Sequence, residues 1–526
     1  MNKIYIYDTT LRDGAQSEGI SFSVKDKIRI ARKLDEIGVD FIEGGWPGSN
    51  PKDDEFFKNA ANELKLKNSK LTAFGSTRRR DTDVSSDIVI KGLLDAGTKY
   101  VTIFGKTWDL HVKAVLKASL KENLKMIESS VEYLNKKNRH VIFDAEHFFD
   151  GYKDNPKYAI ETLKSAASGG AETIVLCDTN GGTLTSEIFE IVEEVKAVIK
   201  TPLGIHVHND ADMAVANSVA AVQAGCTQVQ GTFNGYGERC GNANLISILP
   251  ALKFKLGMDC LSSFAFKELT ETSRYIAEIS NVKQQDTQPY VGKSAFAHKA
   301  GVHVNAILKN PKTYEHMNPL EVGNKRRMLI SELSGKSSII EKAGELGLEI
   351  GKTPEKVKDI LSYVQDLEKD GYQFELAEAS LSLLMRRTQE MFKRYFEMED
   401  FRVIVEKRGD GPLVSEATVK LKIGNKLRHT VSLGDGPVHA LDQALRKSLI
   451  EFYPSLNEMH LSDFRVRVLD EKSATAAKVR VLIQSQDASD SWWTVGVSEN
   501  IIGASWLALR DSIEYKFIKD EGKNKK

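Results

Sequence analysis

His206 and His208 lie in Gly204–His208, a run that reads as a β-strand. Side chains at i and i+2 of a strand point to one face, so both imidazoles can reach a single metal ion. With 11 His in 526 residues, such spacing arises by chance roughly 0.2 times. A buried structural pair is the plainer reading, and the pair gains weight only from its position. Asp13, in Asp8-Thr9-Thr10-Leu11-Arg12-Asp13-Gly14, follows the first strand-like run and would complete a set of two histidines and one carboxylate. Arg12 would then stand beside the ion as a fixed cation for an oxyanion or a carboxylate. Such a triad also suits a non-haem iron oxygenase, and equally a Lewis-acid centre. Glu43 precedes Gly44-Gly45-Trp46-Pro47-Gly48, and Glu146 stands in Asp144-Ala145-Glu146-His147. Both carboxylates are candidates for proton transfer or for orienting Arg12. Thr179, in Cys177-Asp178-Thr179-Asn180-Gly181-Gly182, offers a hydroxyl to a substrate carboxylate. The run Asn234-Gly235-Tyr236-Gly237-Glu238-Arg239-Cys240-Gly241-Asn242 is Gly-rich. It matches neither Walker A nor GxGxxG, so it does not support a nucleotide-phosphate cradle.

The elements that carry these residues repeat. From residue 2 to about 256, eight β-rich runs alternate with amphipathic helical stretches: Ile4–Tyr7, Phe41–Glu43, Leu71–Gly75, Tyr100–Gly105, Val141–Ala145, Thr173–Cys177, Gly204–His208 and Gln228–Phe233. Val24, Ile28, Ala31, Leu34 and Ile37 recur three or four apart, which makes one apolar helix face, and Ser23 with Asp26 resembles a capping box with Asp in place of the usual Glu. One strand and one helix, eight times over, is the order of a (β/α)8 TIM barrel. A doubly wound open sheet is the alternative. Six of the eight strand ends carry polar residues that can converge on the C-terminal rim of such a barrel, and this convergence argues for an enzyme.

Residues 257–398 read as a mainly helical accessory segment, and 399–526 as a C-terminal α/β domain. Within that domain Arg428–Leu449 aligns on Trp492–Ile513 at a constant offset of 64, with Thr430/Thr494, Ala444/Ala508 and Arg446/Arg510 among the identities. Repeated strand–helix units imply a pseudo-symmetric module, for dimerisation or ligand sensing.

Composition bounds the class. The 73 Lys and Arg match the 73 Asp and Glu, which argues against bulk-charge binding of nucleic acid or an anionic membrane. A hydrophobic fraction of 41% and a charged fraction of 28% suit a large globular protein. None of the four cysteines forms a CxxC pair, so a reducing, cytoplasmic setting is expected. The first residues read as strand at once and no apolar run reaches membrane length, so neither a leader nor a membrane span is expected.

At DTTLRDGAQ (8–16), HVHND (206–210), the Glu-Gly-x-x-Pro turn (43–47), NGYGERCGN (234–242), AGVHVNA (300–306) and TYEHMNP (313–319), the sequence resembles the acyl-CoA-condensing 2-oxoacid synthases. That family contains the 2-isopropylmalate, homocitrate and citramalate synthases. EGGWPGSNPKD (43–53) and GYQFELAEAS (371–380) are similar to stretches of its citramalate branch. The resemblance implies a barrel with a C-terminal regulatory domain like the leucine-responsive one. It also implies condensation of acetyl-CoA with pyruvate, on the way to isoleucine. It makes Asp13, His206 and His208 the ligands of a divalent ion (Mn2+, Mg2+ or Zn2+), with Asn242 close by. Arg12 would stabilise developing charge, held by Glu43, and Thr179 would bind the 2-oxoacid carboxylate. Glu146, His303 and Tyr314 would serve the acetyl-CoA end. The implied assembly is a homodimer with isoleucine as effector. Thr102 stands where isopropylmalate synthases carry a histidine, and Phe104 or Trp46 could fill a small pocket. Cys240 stands in GERCGN rather than the GxGGCP loop of the related lyases. Alternatives are an isopropylmalate synthase acting on 2-oxoisovalerate, the lyase, and an inactive metabolite-sensing barrel.

Overall fold

Each of the eight runs becomes a strand in the computed structural model, which describes residues 3–331, 334, 336–348, 354–388, 392–407, 409–469 and 477–523. The strands are β1 (Tyr5–Asp8), β2 (Phe41–Gly45), β3 (Lys70–Ser76), β4 (Tyr100–Lys106), β5 (His140–Glu146), β6 (Thr173–Asp178), β7 (Leu203–Val207) and β8 (Gln228–Gly231). They pair in parallel in chain order and close into a barrel. The closing seam sets Tyr5 opposite Gln228 and Asp8 opposite Gly231, so the open-sheet alternative falls. In the helix Val24–Ile37, residues Ile28, Ala31, Leu34 and Ile37 are buried, and the Ser23/Asp26 capping box forms. The main core lies between strands and helices, because in a barrel both faces of each strand are covered. A smaller cluster of Tyr7, Phe41, Ile142, Val175 and Cys177 fills the interior.

Two strand ends differ from expectation for local reasons. β7 stops at Val207, one residue before His208, which instead makes an antiparallel bridge to Asn242. β8 stops at Gly231, because the amide of Thr232 donates back to the Ala243 carbonyl (3.0 Å) and Asn234 takes a left-handed conformation (φ 64°).

The chain divides into two units. One holds Met1–Phe296 and His316–Arg326; the other holds Ala297–Glu315 and Arg327–Lys526. The segment 316–326 is stitched into the first unit: Thr270 Oγ1 donates to the Val322 carbonyl (2.6 Å), and Asn324 Nδ2 to the carbonyls of Tyr290 (2.9 Å) and Gly292 (3.0 Å).

In the second unit, two three-stranded antiparallel sheets are each followed by a helix. The first comprises Glu397–Lys407, Leu413–Ile423 and Lys426–Gly434, then helix Pro437–Leu449. The second comprises His460–Val468, Val479–Gln486 and Ser491–Ser498, then helix Ile501–Lys523. The 64-residue repeat is physical. Thr430 Oγ1 donates to the Ala444 carbonyl (2.9 Å) and Thr494 Oγ1 to the Ala508 carbonyl (2.8 Å), the same strand-to-helix bond in each copy. All four cysteines are free, and no described helix is long and apolar enough to cross a membrane.

Candidate metal centre

β7 presents His206 from its C-terminal end, and the turn after β1 presents Asp13 beneath it. His206 Nε2 and His208 Nε2 lie 3.4 Å apart; Asp13 Oδ2 is 3.3 Å from the first and 4.0 Å from the second. All three residues are buried, and no second such group occurs among the described residues. Separations of this size are those between ligands bound about 2.0–2.2 Å from one ion. Asn242 donates through Nδ2 to Asp13 Oδ2 (2.7 Å), and its buried Oδ1 has no hydrogen-bond partner. Two imidazoles, a carboxylate and an unsatisfied amide oxygen make a donor set that fits a divalent cation. Gly237 is required here, because a Cβ would lie 2.3 Å from Asn242 Oδ1.

The second layer fixes the first. His206 Nδ1–H donates to Gln230 Oε1 (3.0 Å), leaving Nε2 as the lone-pair atom. Gln230 Nε2 in turn donates to Asp144 Oδ1 (3.0 Å). Burial pushes the Asp144 carboxyl up to about 7 against the pull of His206. Burial would also raise Asp13, but Arg12, His206 and His208 outweigh it and hold its carboxyl well below the usual range. Burial and the neighbouring His206 lower His208 to about 4. Burial works against charge on His206 too, yet Asp13 raises it above its ordinary value. A bound cation would take over the role of that proton.

Arg12 is locked between carboxylates. Its Nε donates to Glu43 Oε2 (2.6 Å), and Nη1 lies 3.5 Å from Asp13 Oδ1. Burial opposes its charge, but Asp13 and Glu43 keep the guanidinium firmly protonated. Glu43 also accepts from the Tyr7 hydroxyl (2.8 Å), which is 2.7 Å from Thr102 Oγ1. Thr102 thus braces Tyr7 and, through it, Glu43.

An aromatic wall adjoins the arginine. The Arg12 guanidinium carbon stands 3.8 Å from the centre of the Phe74 ring, and Phe74 stacks on Phe104 at 5.5 Å. Trp46 meets both rings edge-on, at 5.7 and 5.5 Å. A cavity of about 610 Å³ next to Arg12 is lined by Leu11, Ile20, Phe22 and Trp46. The Trp46 turn is clamped from behind. Asp53 pairs with buried Lys27 and accepts from the Trp46 amide (2.9 Å), while Lys27 also donates to the Gly44 carbonyl (3.0 Å).

Thr179 accepts from the His147 amide through Oγ1 (2.9 Å), and its carbonyl accepts from Arg239 (2.7 Å). Arg239 also grips Asp210, which ties the loops after β6, β7 and β8 together. Glu146 pairs with Lys106 at the neighbouring strand end. His303 and Tyr314 belong to the second unit, where their exposed rings lie 4.1 Å apart. Sequence reasoning missed Gln230, Asp144, Tyr7, Phe74 and Lys106 as parts of the site. The one signal available was Gln228-Val229-Gln230, a pair of amides alternating on a barrel strand.

The profile of the HMGL-like family matches residues 3–276, that of the homocitrate synthase post-HMGL domain matches 290–371, and that of the LeuA allosteric (dimerisation) domain matches 375–517. An (R)-citramalate synthase of Aquifex aeolicus is 56% identical over 521 residues, 99% of this chain and 98% of that protein. One from Geobacter sulfurreducens is 54% identical, covering 99% of each chain. A 2-isopropylmalate synthase of Methanocaldococcus jannaschii is 31% identical over 99% of this chain and 96% of its own length.

Proposed function

Since the chain belongs to the citramalate synthases of the HMGL-like family, we propose that it condenses acetyl-CoA with pyruvate and water to give (R)-citramalate and CoA, the first step of a threonine-independent route to isoleucine. The observation that carries this reading is the intact buried set Asp13, His206 and His208, with Arg12 fixed beside it. When bound there, a divalent ion (Mn2+, Mg2+ or Zn2+) supplies Lewis acidity toward the keto and carboxylate oxygens of the 2-oxoacid. Arg12, held rigid by Glu43, stabilises the negative charge that grows on the keto oxygen. The Thr179 hydroxyl, whose oxygen accepts from the His147 amide, donates its proton to the carboxylate. Asn242 holds Asp13 in place. Glu146 serves proton transfer, and His303 and Tyr314 serve the acetyl-CoA end. The wall of Trp46, Phe74 and Phe104 suits a pocket for the methyl of pyruvate and leaves little room for the isopropyl group of 2-oxoisovalerate.

The same reading divides the chain into a catalytic barrel (1–256), a helical accessory segment (257–398) and a regulatory domain (399–526). It makes the protein a cytoplasmic homodimer with isoleucine as effector of the last part. Support for the regulatory role comes from the match to the LeuA allosteric (dimerisation) domain.

Release of CoA thiol by the purified full-length protein, with Mn2+ and acetyl-CoA, tests the assignment across pyruvate, 2-oxobutyrate, 2-oxoisovalerate and 2-oxoglutarate. Pyruvate should give the highest kcat/KM. A preference for 2-oxoisovalerate would move the enzyme to leucine synthesis. No thiol release with any 2-oxoacid would leave a metabolite-sensing barrel.

A further inference from the structure

Lys106 closes β4 and Glu146 closes β5, and the two are register partners across that strand pair. Their side chains form an ion pair at the rim, each only partly exposed. The backbone under both is pinned by buried side chains. Thr107 donates to the Glu146 carbonyl through Oγ1 (2.7 Å) and through its amide (3.3 Å). Asn123 Nδ2 donates to the Lys106 carbonyl (2.8 Å) and reaches the Tyr158 hydroxyl (2.8 Å). A rim ion pair contributes only about 0–1 kcal/mol to stability, so stability does not account for this degree of fixing. Pre-organisation of a working pair does.

The aromatic wall links this pair to Arg12. The ammonium of Lys106 lies 5.4 Å from the centre of the Phe104 ring, and the Arg12 guanidinium sits over Phe74, the ring stacked on Phe104. Each of two stacked rings thus carries one cation, and each cation is held by a carboxylate from a strand end: Arg12 by Glu43, Lys106 by Glu146. The condensation develops negative charge on two oxygens, that of the 2-oxoacid keto group and that of the thioester carbonyl. Arg12 answers the first.

We propose that Lys106 is a catalytic residue that answers the second, donating a hydrogen bond to the acetyl thioester oxygen as it becomes an enolate oxygen. This rests on the condensation described above. Glu146 takes a methyl proton; the C–H pair becomes the enolate C=C bond, and the carbonyl π pair moves to oxygen. The C=C pair then forms the bond to the keto carbon as the enolate oxygen pair re-forms the thioester carbonyl and the keto π pair moves to its own oxygen; Glu146 afterwards returns its proton to solvent. Glu146 loses its charge at the moment the enolate gains one. During deprotonation Lys106 therefore exchanges one anionic partner for another, which keeps the electrostatic cost of that step low.

The test uses the full-length Mn2+-loaded enzyme with Lys106→Met and Lys106→Arg, in steady-state kinetics with acetyl-CoA and with its trideuteromethyl form. Lys106→Met should lower kcat about 10²–10³-fold, leave the pyruvate KM within about threefold, and enlarge the deuterium isotope effect, because methyl deprotonation becomes rate-limiting. Lys106→Arg should recover at least part of kcat. Activity of the Met variant within threefold of wild type, a loss confined to the pyruvate KM, or a lower kcat with an unchanged isotope effect would each overturn the proposal. Bound Mn2+ and melting temperature are followed in parallel; should the Met variant not fold, Lys106→Gln set against Lys106→Arg carries the same comparison. A wild-type protein that releases no CoA with any 2-oxoacid fails the functional reading itself, before any variant is made.

Discussion

Gln230 decides which nitrogen of His206 faces Asp13, because its amide oxygen takes the Nδ1 proton. Replacing it with leucine should weaken Mn2+ binding about 10–100-fold, measured by titration calorimetry, and leave the fold intact. Chelation should abolish CoA release in both proteins, and Mn2+ should restore it at a higher concentration in the variant. Phe104 makes the converse argument, from shape. Its ring stacks on Phe74 and meets Trp46 edge-on, so Phe104→Ala should open volume in the pocket proposed for the 2-oxoacid. Discrimination per methylene is about 1–3 kcal/mol. The ratio of kcat/KM for pyruvate over 2-oxobutyrate should therefore fall about tenfold or more. An unchanged ratio would put the specificity elsewhere in the barrel.

At the scale of elements, the turn after β2 is held by a buried charge pair in addition to the bonds from Ser49 to the Trp46 carbonyl. Gly45, at φ 149°, has no room for a side chain, since a Cβ would lie 2.6 Å from the Asp53 carboxyl carbon. Asp53 in turn grips the Trp46 amide while Lys27 neutralises it. Lys27→Met strands a buried carboxylate and should cost about 3–5 kcal/mol, read as a lower urea midpoint. Adding Asp53→Asn should recover much of that loss, because the neutral amide still accepts from Trp46. The strands themselves were legible from their apolar runs and from the turn residues between them. His206, His208 and Asp13 were legible because metal chemistry needs those types at strand ends. Tyr7, Asp144 and Gln230 were not, for a physical reason. Barrel strands are covered on both faces, so a polar residue aimed inward has no alternation of polarity to mark it. Phe74 hides in an ordinary apolar run, and Lys106 reads as a surface lysine at the end of a strand until its ion pair with Glu146 is seen.

The whole molecule carries separate hydrophobic cores. The main core and the smaller interior cluster belong to the barrel; two others are built from the C-terminal sheets and the helices Lys336–Glu345, Pro354–Lys369 and Glu378–Arg387. Unfolding should therefore depart from two-state behaviour. Calorimetry should resolve at least two transitions, with Mn2+ and pyruvate raising only the one that belongs to the barrel. A single transition that shifts as a whole would mean that the cores melt as one. The path of the chain adds a consequence for synthesis. The first unit recruits 316–326 only after the chain has passed through 297–315 of the second. On a ribosome adding about 5–20 residues per second, Thr270, Tyr290 and Gly292 wait on the order of 2–10 s for their closing bonds to Val322 and Asn324. The seam therefore closes only after all eight strands have been made, and translation that ends before residue 322 leaves a barrel without these bonds.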